Sequence, residues 1–506
     1  MPNGRLLLTA VVAWASLFLV LAAWALASPV GSGPDESNHH AKAAATVRGQ
    51  FVGEPTGDQG VTTVRVPVDV ADPQGPTPCF RFDPDASADC APPFADRDGT
   101  VEVRTGVGSY DPVYYLLVGW PTLFADGEQA YLGVRLVSAA LVAALFSVVL
   151  VVAAALRRDR ALPAAAAVAL TPMALYLGGL VNPNSVEVAA CAALAAVAWL
   201  LVHDGDGRRR GRWLTLLVAC GVLAGTMRTT SPLLVLLVVL GVLLTDPPAS
   251  VRLLRTRPAL VALGAAVVLL VPAAAWTLLV AGPAGYIPSS PERLGPVEAA
   301  LRTVGLLPEY GIQMVGILGW FDTHLPPVVL AGWVLAAGAV LVACLGTSRR
   351  HRPGVVLLLA ACVLLPVLVQ AAGAGEYGII WQGRYGLPLA CATVLVAGLV
   401  AGSDVVRPPA VRRLTVVLWS AAVLGHAAAF ATAYRRYSVG EGRPASLVLE
   451  GAGWQAPGGP VLVSVAFVVG LLGTATLAVS LSRRPLGPTN IRQVSGEGPT
   501  STKGDA

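Results

Sequence analysis

Long apolar runs separated by clusters of arginine are the feature that most constrains this chain. The runs at 132–156 and 260–280 each exceed the roughly 18–20 residues that a helix needs to cross a bilayer. Only 13% of the residues are charged, against roughly 25% in soluble domains. Since backbone polar groups inside a bilayer must be satisfied within the protein, such runs fold as helices. The sequence therefore predicts an all-α, polytopic integral membrane protein in contact with the lipid bilayer.

The arginines fix the orientation of the predicted spans. They cluster at 157–160, 208–212, 252–257, 349–352, 407–413 and 483–484, at alternating ends of the apolar runs. Because cytoplasmic loops carry an excess of arginine and lysine, these clusters are placed on the cytoplasmic face. We interpret them as topology anchors and lipid-headgroup contacts, and we expect no nucleic-acid partner.

Successive apolar runs predict about twelve transmembrane helices with both termini inside. The spans lie at 6–27, 130–156, 162–181, 185–202, 213–227, 231–245, 258–281, 327–346, 354–372, 387–402, 411–432 and 460–482, with a short interfacial helix at 113–126. The first run ends in a sequence similar to a signal-peptidase site, but its length favours an uncleaved helix. The predicted transmembrane domain covers 1–484, with large extracytoplasmic loops at 28–112 and 282–326, and 485–506 is a disordered cytoplasmic tail.

Two cysteines, Cys79 and Cys90, lie in the first external loop, whereas the others lie within apolar runs. On an oxidising face these two thiols can form a disulfide that closes a short loop. The spacing alone leaves the pairing open. Its role would be to stabilise a loop with little core.

A polar cluster with two acids and two histidines follows directly on the first span. If the chain is helical after Pro34, Asp35 and His39 share one face, and Glu36 and His40 share the next. Acids also stabilise a helix start through the helix dipole, so the cluster has a purely structural interpretation. In the functional interpretation, Asp35 or Glu36 is a general base, or Asp35 and His39 help to bind a divalent cation such as Mg²⁺ or Mn²⁺.

Arg384 lies at the external start of an apolar run, on the face that the positive-inside rule depletes of arginine. A guanidinium there can hold a phosphate through two parallel hydrogen bonds. Gln382 and Tyr385 lie beside it in the chain. An interfacial aromatic belt with an arginine that extends towards the headgroups explains the same residues equally well.

Three further polar residues lie at the external ends of spans. Asp322 precedes an apolar run and could be a plain helix N-cap, and Asn182 belongs to an Asn-Pro-Asn turn. Glu187 falls in the outer turn of a span, where a carboxylate needs water or a partner. The sequence has no P-loop, dinucleotide-binding fingerprint or nucleophile elbow, which disfavours ATP-driven transport and hydrolysis.

Several of these segments, taken in order, resemble a known family. They are Pro34-Asp35-Glu36-x-x-His39, the segment 110–115, Asn182-Pro183-Asn184, the segment 319–326 and Gln382-Gly383-Arg384-Tyr385-x-x-Pro388. Over about residues 10–480 the chain resembles the bacterial predicted membrane proteins called domain of unknown function twenty-one forty-two. That family is similar in architecture to the GT-C glycosyltransferases, which are polytopic enzymes with an acidic motif at the start of the first external loop.

The resemblance implies a GT-C-like fold in the bacterial plasma membrane, with an extracytoplasmic active face. It implies that Asp35 or Glu36 deprotonates an acceptor hydroxyl on a cell-envelope glycan, lipid or protein. The donor would be a sugar on a polyprenyl phosphate. The implied substrate-binding set comprises His39, Arg384, Tyr385, Asp322, Gln382, Asn182 and Glu187, with Arg384 on the donor phosphate.

One departure from the family pattern concerns the Asn-Pro turn. An aspartate often follows Asn-Pro in that family, and here the residue is Asn184. Any acidic role at that position is lost or moves to Glu187.

Three functions stay open at the level of sequence. The first is a membrane glycosyltransferase. The second is a transporter or flippase of lipid-linked glycans, which would need polar residues near the middle of the spans, where His426 is the best exception. The third is a non-catalytic protein of cell-envelope assembly. Convergence of Asp35 and Arg384 to within one sugar-phosphate length would favour the transferase.

Overall fold

The membrane-spanning character of the chain is clear in a computed structural model that describes residues 2–58, 60–156, 160–204, 209–281, 294–404 and 408–483. Within these ranges, nine helices are long and apolar enough to cross a membrane, or up to ten if one bent pair counts as a span. The protein is therefore a mostly helical, multi-pass membrane protein. The predicted tail at 485–506 and parts of several arginine clusters lie outside the described residues.

The elements follow the chain in this order. The helices are α1 (Pro2–Leu26), α2 (Glu36–Thr46), α3 (Val113–Val118), α4 (Gly127–Ala155), α5 (Leu162–Ala169), α6 (Pro172–Gly178), α7 (Pro183–His203), α8 (Arg210–Gly225), α9 (Ser231–Leu243), α10 (Pro247–Leu254), α11 (Arg257–Trp276), α12 (Pro296–Gly316), α13 (Pro327–Leu345), α14 (Arg352–Tyr377), α15 (Gly383–Asp404), α16 (Pro408–Val439), α17 (Ser446–Leu449) and α18 (Gly459–Ser482). The strands are β1 (Glu54–Pro55), β2 (Thr62–Pro67), β3 (Thr100–Thr105), β4 (Ile317–Leu318) and β5 (Thr323–His324).

Some predicted spans are helices too short to cross a bilayer. This explains why fewer helices are long and apolar enough to span the membrane than the sequence predicted. α8 has 16 residues, and at about 1.5 Å per residue it is shorter than the roughly 30 Å hydrocarbon core. α9 has 13 residues and meets α10 at an angle of 115°. The span predicted at 162–181 is two helices, α5 and α6.

The break between α5 and α6 lies at Thr171, directly before a proline. It frees the backbone carbonyls of residues 168–170, which other helices satisfy. Trp333 Nε1 donates to the Val168 carbonyl at 3.1 Å, and Cys391 Sγ donates to the Ala169 carbonyl at 3.0 Å. His426 hydrogen-bonds to the backbone of Leu170. Tertiary partners of this kind let broken helices persist within a membrane. They also give His426 a local structural role.

The helices divide into a buried set and a lipid-facing set. The apolar window of α7 is 94% buried, whereas the windows of α11 and α13 are only 11% and 17% buried. α1 packs between α4 and α18. Lipid would cover the apolar surface of α11 and α13, whereas α7 lies in the core of the bundle.

The first external loop contains a sheet, which corrects the all-α expectation. Strands β1, β2 and β3 form an antiparallel sheet in that order, with Val64 opposite Val103. Val64 and Val66 are buried against the alanines of α2, while Arg65 between them is exposed. This alternation, with a period of two residues, is typical of a half-buried strand. A second sheet, β4 with β5, forms a short hairpin around Gly319.

The second external loop, predicted at 282–326, contains the helix α12, and residues 282–293 lie outside the described ranges. Val297 and Leu301 are 74% and 68% exposed on one side of α12, whereas Ala299 and Thr303 are fully buried on the other. α12 packs against α14 and α15. The loop is therefore partly an integral layer of the bundle.

Candidate functional site

Asp35 has an unusual backbone conformation at the junction between the first span and α2. It is left-handed, with φ 63°, and its side chain does not cap the helix. Such angles are uncommon for residues other than glycine and persist where surrounding contacts hold them. Here Arg384 Nη1 and Asn182 Nδ2 both donate to the Pro34 carbonyl, at 3.1 and 3.3 Å. Asp35 therefore lies at the helix start without capping it through a hydrogen bond, and its carboxylate contacts Arg384 instead.

The Asp35 carboxylate meets the guanidinium of Arg384. The distance from Arg384 Nη2 to Asp35 Oδ2 is 2.6 Å, well within one sugar-phosphate length. The Asp35 side chain is 41% exposed, while that of Arg384 is 3% exposed. The carboxylate is therefore accessible on one side and lies against the buried arginine on the other. We call the accessible surface around Asp35, Arg384 and Tyr385 the Asp35 recess.

Positive charge dominates the recess. Arg228 lies over the Tyr385 ring at 3.9 Å, and Arg384 lies 5.2 Å from the same ring. Arg81, in the loop that the disulfide between Cys79 and Cys90 closes, also interacts electrostatically with Asp35. Burial raises the pKa of Asp35, but Arg384 and Arg228 outweigh it and hold the pKa below its ordinary value of 3.8. The carboxylate is therefore ionised at neutral pH, and the surrounding cations suit an anionic ligand.

His39 lies one turn from Asp35 and is neutral. Its Nδ1 is 2.9 Å from the Tyr115 hydroxyl, and burial lowers its pKa to about 3. Among the described residues no three His, Cys, Asp or Glu side chains are grouped to hold a metal ion. Arg384 also occupies the cation position beside Asp35. The residues present thus do not fit the divalent-cation site expected from Asp35 and His39, because too few ligands converge there.

Glu36 has a different environment from Asp35, although the two are adjacent. Arg135 donates from Nε and Nη2 to the two carboxylate oxygens of Glu36, at 2.7 Å each. Both side chains are 0% exposed. The backbone amides of Val181 and Gly33 also donate to Glu36, at 3.0 and 3.2 Å. A carboxylate so enclosed has no access to an acceptor, so Glu36 is an anchor and the expectation that it could be the base is corrected.

Asp322, expected in the substrate-binding set, anchors the disulfide loop. Its Oδ2 accepts from Arg436 Nη2 at 3.1 Å and from the Phe82 amide at 3.1 Å. Its side chain is 5% exposed, so it is not open to a ligand. It is not an N-cap either, because α13 begins at Pro327.

The disulfide loop itself is closed by Cys79 and Cys90, whose Cα atoms are 6.2 Å apart. Arg436 donates to the carbonyls of Phe80, Asp83 and Ala86 within this loop. We call these three hydrogen bonds from Arg436 the clamp. Elsewhere in the loop, the Arg81 guanidinium stacks over the Trp320 ring at 4.1 Å. The bond and the clamp together fix where Arg81 lies relative to the Asp35 recess.

The remaining expected residues position others. Gln382 Oε1 accepts from Arg384 Nε at 2.6 Å, and Asn182 caps α7 through the amide of Asn184. Glu187 has the partners that a carboxylate in a span requires, because Asn184 Nδ2 donates to it at 2.9 Å and the Ser231 hydroxyl donates to its other oxygen. These residues orient the turns that carry the recess.

A family described as "Predicted membrane protein (DUF2142)" matches residues 18–393. The chain belongs to this family. The match confirms the family prediction, and it contains both partners of the Asp35–Arg384 ion pair. No curated protein and no solved structure gives a significant match to the chain. The family's description is that of a predicted membrane protein and names no activity.

Sequence reasoning missed three residues that shape the site in this family member. Arg228 was visible as a cation at the outer end of a run, but its stacking on Tyr385 joins distant segments. Arg135 lies within a predicted span, and a charged residue there is itself a readable signal. Lys42 is fully buried and donates to the carbonyls of Phe51 and Gly108, at 2.6 Å each, so it ties both ends of the first loop to α2.

Proposed function

We propose that the protein is a membrane glycosyltransferase that moves a sugar from a polyprenyl-phosphate donor to a hydroxyl of a cell-envelope acceptor. The observation that carries the proposal is the Asp35 carboxylate, 41% exposed and 2.6 Å from Arg384, in a recess with a second arginine on the same tyrosine ring. A carboxylate base beside cations that can hold a leaving phosphate is the minimum that such a transfer needs. The proposed site lies on the extracytoplasmic face.

In the proposed reaction, Asp35 takes the proton of the acceptor hydroxyl. The hydroxyl oxygen forms the new bond to the anomeric carbon, and the bond from that carbon to the phosphate oxygen breaks. The electron pair leaves with the phosphate, whose charge the arginines stabilise. Transfer in a single displacement inverts the anomeric carbon. Asp35 carries the base role because its neighbour Glu36 is enclosed by Arg135.

The low pKa of Asp35 is consistent with this role once the donor is bound. Arg384 and Arg228 are the cations that lower the pKa in the free protein. A phosphate bound beside them offsets part of their positive charge, and the pKa of Asp35 then rises. The carboxylate thus becomes a better base when a donor is in place.

Transport has less support from the same observations. A transporter needs charged or polar groups along a path through the bundle. Glu36 and Arg135, whose side chains are 0% exposed, hydrogen-bond to each other. His426 hydrogen-bonds to the backbone, so these buried polar groups already have partners within the protein. The open charged groups that support a function are those of the Asp35 recess.

The test uses the full chain in lipid nanodiscs with a panel of radiolabelled polyprenyl-phosphate hexoses and pentoses and an envelope extract as acceptor. The proposal expects one donor to be consumed, with free polyprenyl phosphate released and label in the acceptor. Asp35→Asn should abolish this turnover. Glu128→Gln, which alters an exposed acid at the start of α4, is the matched control and should leave it intact. Undiminished turnover in Asp35→Asn, or no turnover of any donor, would contradict the proposal.

A further inference from the structure

Arg228 is a cation without a hydrogen-bonding partner in the part of the chain that the structure describes. Its guanidinium stacks on Tyr385 at 3.9 Å, but no described residue accepts a hydrogen bond from it or forms an ion pair with it. Arg384, by contrast, donates to Gln382, Asp35 and a backbone carbonyl. Since a guanidinium carries five donors, those of Arg228 are available for an anion.

An apolar groove leads to this arginine from the lipid-facing side. It lies between α8 and α11, has a volume of about 390 Å³, and is lined by apolar residues such as Ala219, Leu223 and Leu269. Leu269 is 53% exposed, and α11 is the least buried of the candidate spans, so the groove opens towards lipid. A small cavity at the end of the groove is lined by Tyr110 and Arg228.

The groove adjoins the small cavity, which has a volume of about 10 Å³. Asp111, Thr226 and Ala273 line both of them. A molecule that lies along this path therefore has its apolar part against α8 and α11 and its head beside Arg228. Arg228 shares the Tyr385 ring with Arg384, which pairs with Asp35, so the head lies on the same side of the protein as the proposed base. An apolar chain that ends in a phosphate matches both the groove and the free guanidinium.

We propose that the groove between α8 and α11 takes the prenyl chain of the lipid-linked donor and that Arg228 binds its phosphate. This rests on the proposed function for the identity of the lipid, and it moves the phosphate from Arg384, the residue that the family resemblance implies. Arg384 instead orients Asp35 by pairing with it. Both guanidinium groups lie against the Tyr385 ring, at 3.9 and 5.2 Å from its centre.

The binding test uses the full chain in nanodiscs and fluorescently labelled undecaprenyl phosphate, with undecaprenol as the phosphate-free probe. Charge-assisted hydrogen bonds contribute roughly 1.5–3 kcal/mol, so Arg228→Gln should weaken binding of the phosphate about 10-fold to 100-fold and leave undecaprenol binding unchanged. Arg228→Lys should restore part of the affinity.

The groove has its own variant and a matched control. Ala219→Trp fills the groove and should weaken binding of both probes. A second lipid-facing groove, of about 350 Å³, lies between α13 and α16. Ala336→Trp fills that one and should change neither probe. Each variant must show the thermal unfolding midpoint of the parent protein, so that a folding defect is recognised.

The outcomes separate this inference from the proposed function, because binding needs no transfer. Unchanged phosphate binding in Arg228→Gln, or equal losses in Ala219→Trp and Ala336→Trp, would overturn the inference even if Asp35-dependent transfer is found. Equal competition by phosphatidic acid would overturn the choice of a prenyl lipid. The expected binding pattern without any transfer would uphold the site and refute the transferase.

Discussion

The adjacent residues Asp35 and Glu36 should respond in opposite ways to loss of their charge. Glu36→Gln removes the counter-ion of Arg135, a pair in which both side chains are 0% exposed. Asp35→Asn removes a carboxylate that is 41% exposed. The first change leaves a buried guanidinium without its counter-ion, whereas after the second the buried Arg384 keeps its hydrogen bonds to Gln382 and to the Pro34 carbonyl. We therefore expect Glu36→Gln to damage the fold and Asp35→Asn to damage only the chemistry.

The magnitudes follow from these contacts. Breaking a buried ion pair by removing one partner costs about 3–5 kcal/mol, and Glu36 also accepts from the amides of Val181 and Gly33. Because Asp35 is 41% exposed, we place its pair with Arg384 nearer to the about 0–1 kcal/mol that exposed pairs contribute. The free energy of unfolding should thus fall by about 3–5 kcal/mol in Glu36→Gln and by at most about 1 kcal/mol in Asp35→Asn.

The assay is denaturant-induced unfolding in mixed micelles, followed by tryptophan fluorescence, for each variant and for Arg135→Gln. The double variant Glu36→Gln with Arg135→Gln buries no charge, so its loss should be less than the sum of the single losses. Equal losses in Asp35→Asn and Glu36→Gln would refute the division of roles. So would strict additivity in the double variant.

Three further predictions concern the first loop and its clamp. Burial lowers the pKa of His40 from 6.5 to about 4, so between these pH values the unfolded chain binds a proton that the folded protein does not. The free energy of unfolding should therefore fall as the pH drops from 6.5 to about 4, and its slope against pH should be shallower in His40→Gln. An unchanged slope in His40→Gln would contradict this. The bond between Cys79 and Cys90, 11 positions apart, contributes about 3 kcal/mol by loop entropy, so replacing both by serine should speed amide exchange in residues 80–89, and equal exchange rates would argue against it. Arg436→Met should lower the unfolding free energy by about 3–5 kcal/mol because it leaves Asp322 and three loop carbonyls without their donor, and a loss below about 1 kcal/mol would be inconsistent with the clamp.

Hydropathy predicted where most helices lie because the bilayer admits few alternatives. It failed where tertiary partners replace helical hydrogen bonds, as near Thr171, where side chains of neighbouring helices donate to the freed carbonyls. It also overlooked the strands of the first loop, although the alternation around Val64 and Val66 was readable. The helix α12 was missed because its amphipathic pattern lacks a long apolar run.

The residues of the candidate site could be predicted from the sequence, but which of the two acids is accessible could not. The topology placed Asp35 and Arg384 on one face, which made their contact a natural hypothesis. Which acid is open depends on the left-handed backbone of Asp35, and no local pattern encodes that. The stacking of Arg228 on Tyr385 likewise depends on packing between segments far apart in the chain.

The most direct test of the central claim is the rate of sugar transfer in Asp35→Asn at saturating donor, with donor binding measured on the same preparation. General base catalysis contributes about 10²–10⁴-fold. The account predicts a loss of transfer in that range while polyprenyl-phosphate binding and the unfolding free energy stay near those of the parent protein. Transfer at the parental rate in a folded Asp35→Asn protein would contradict it.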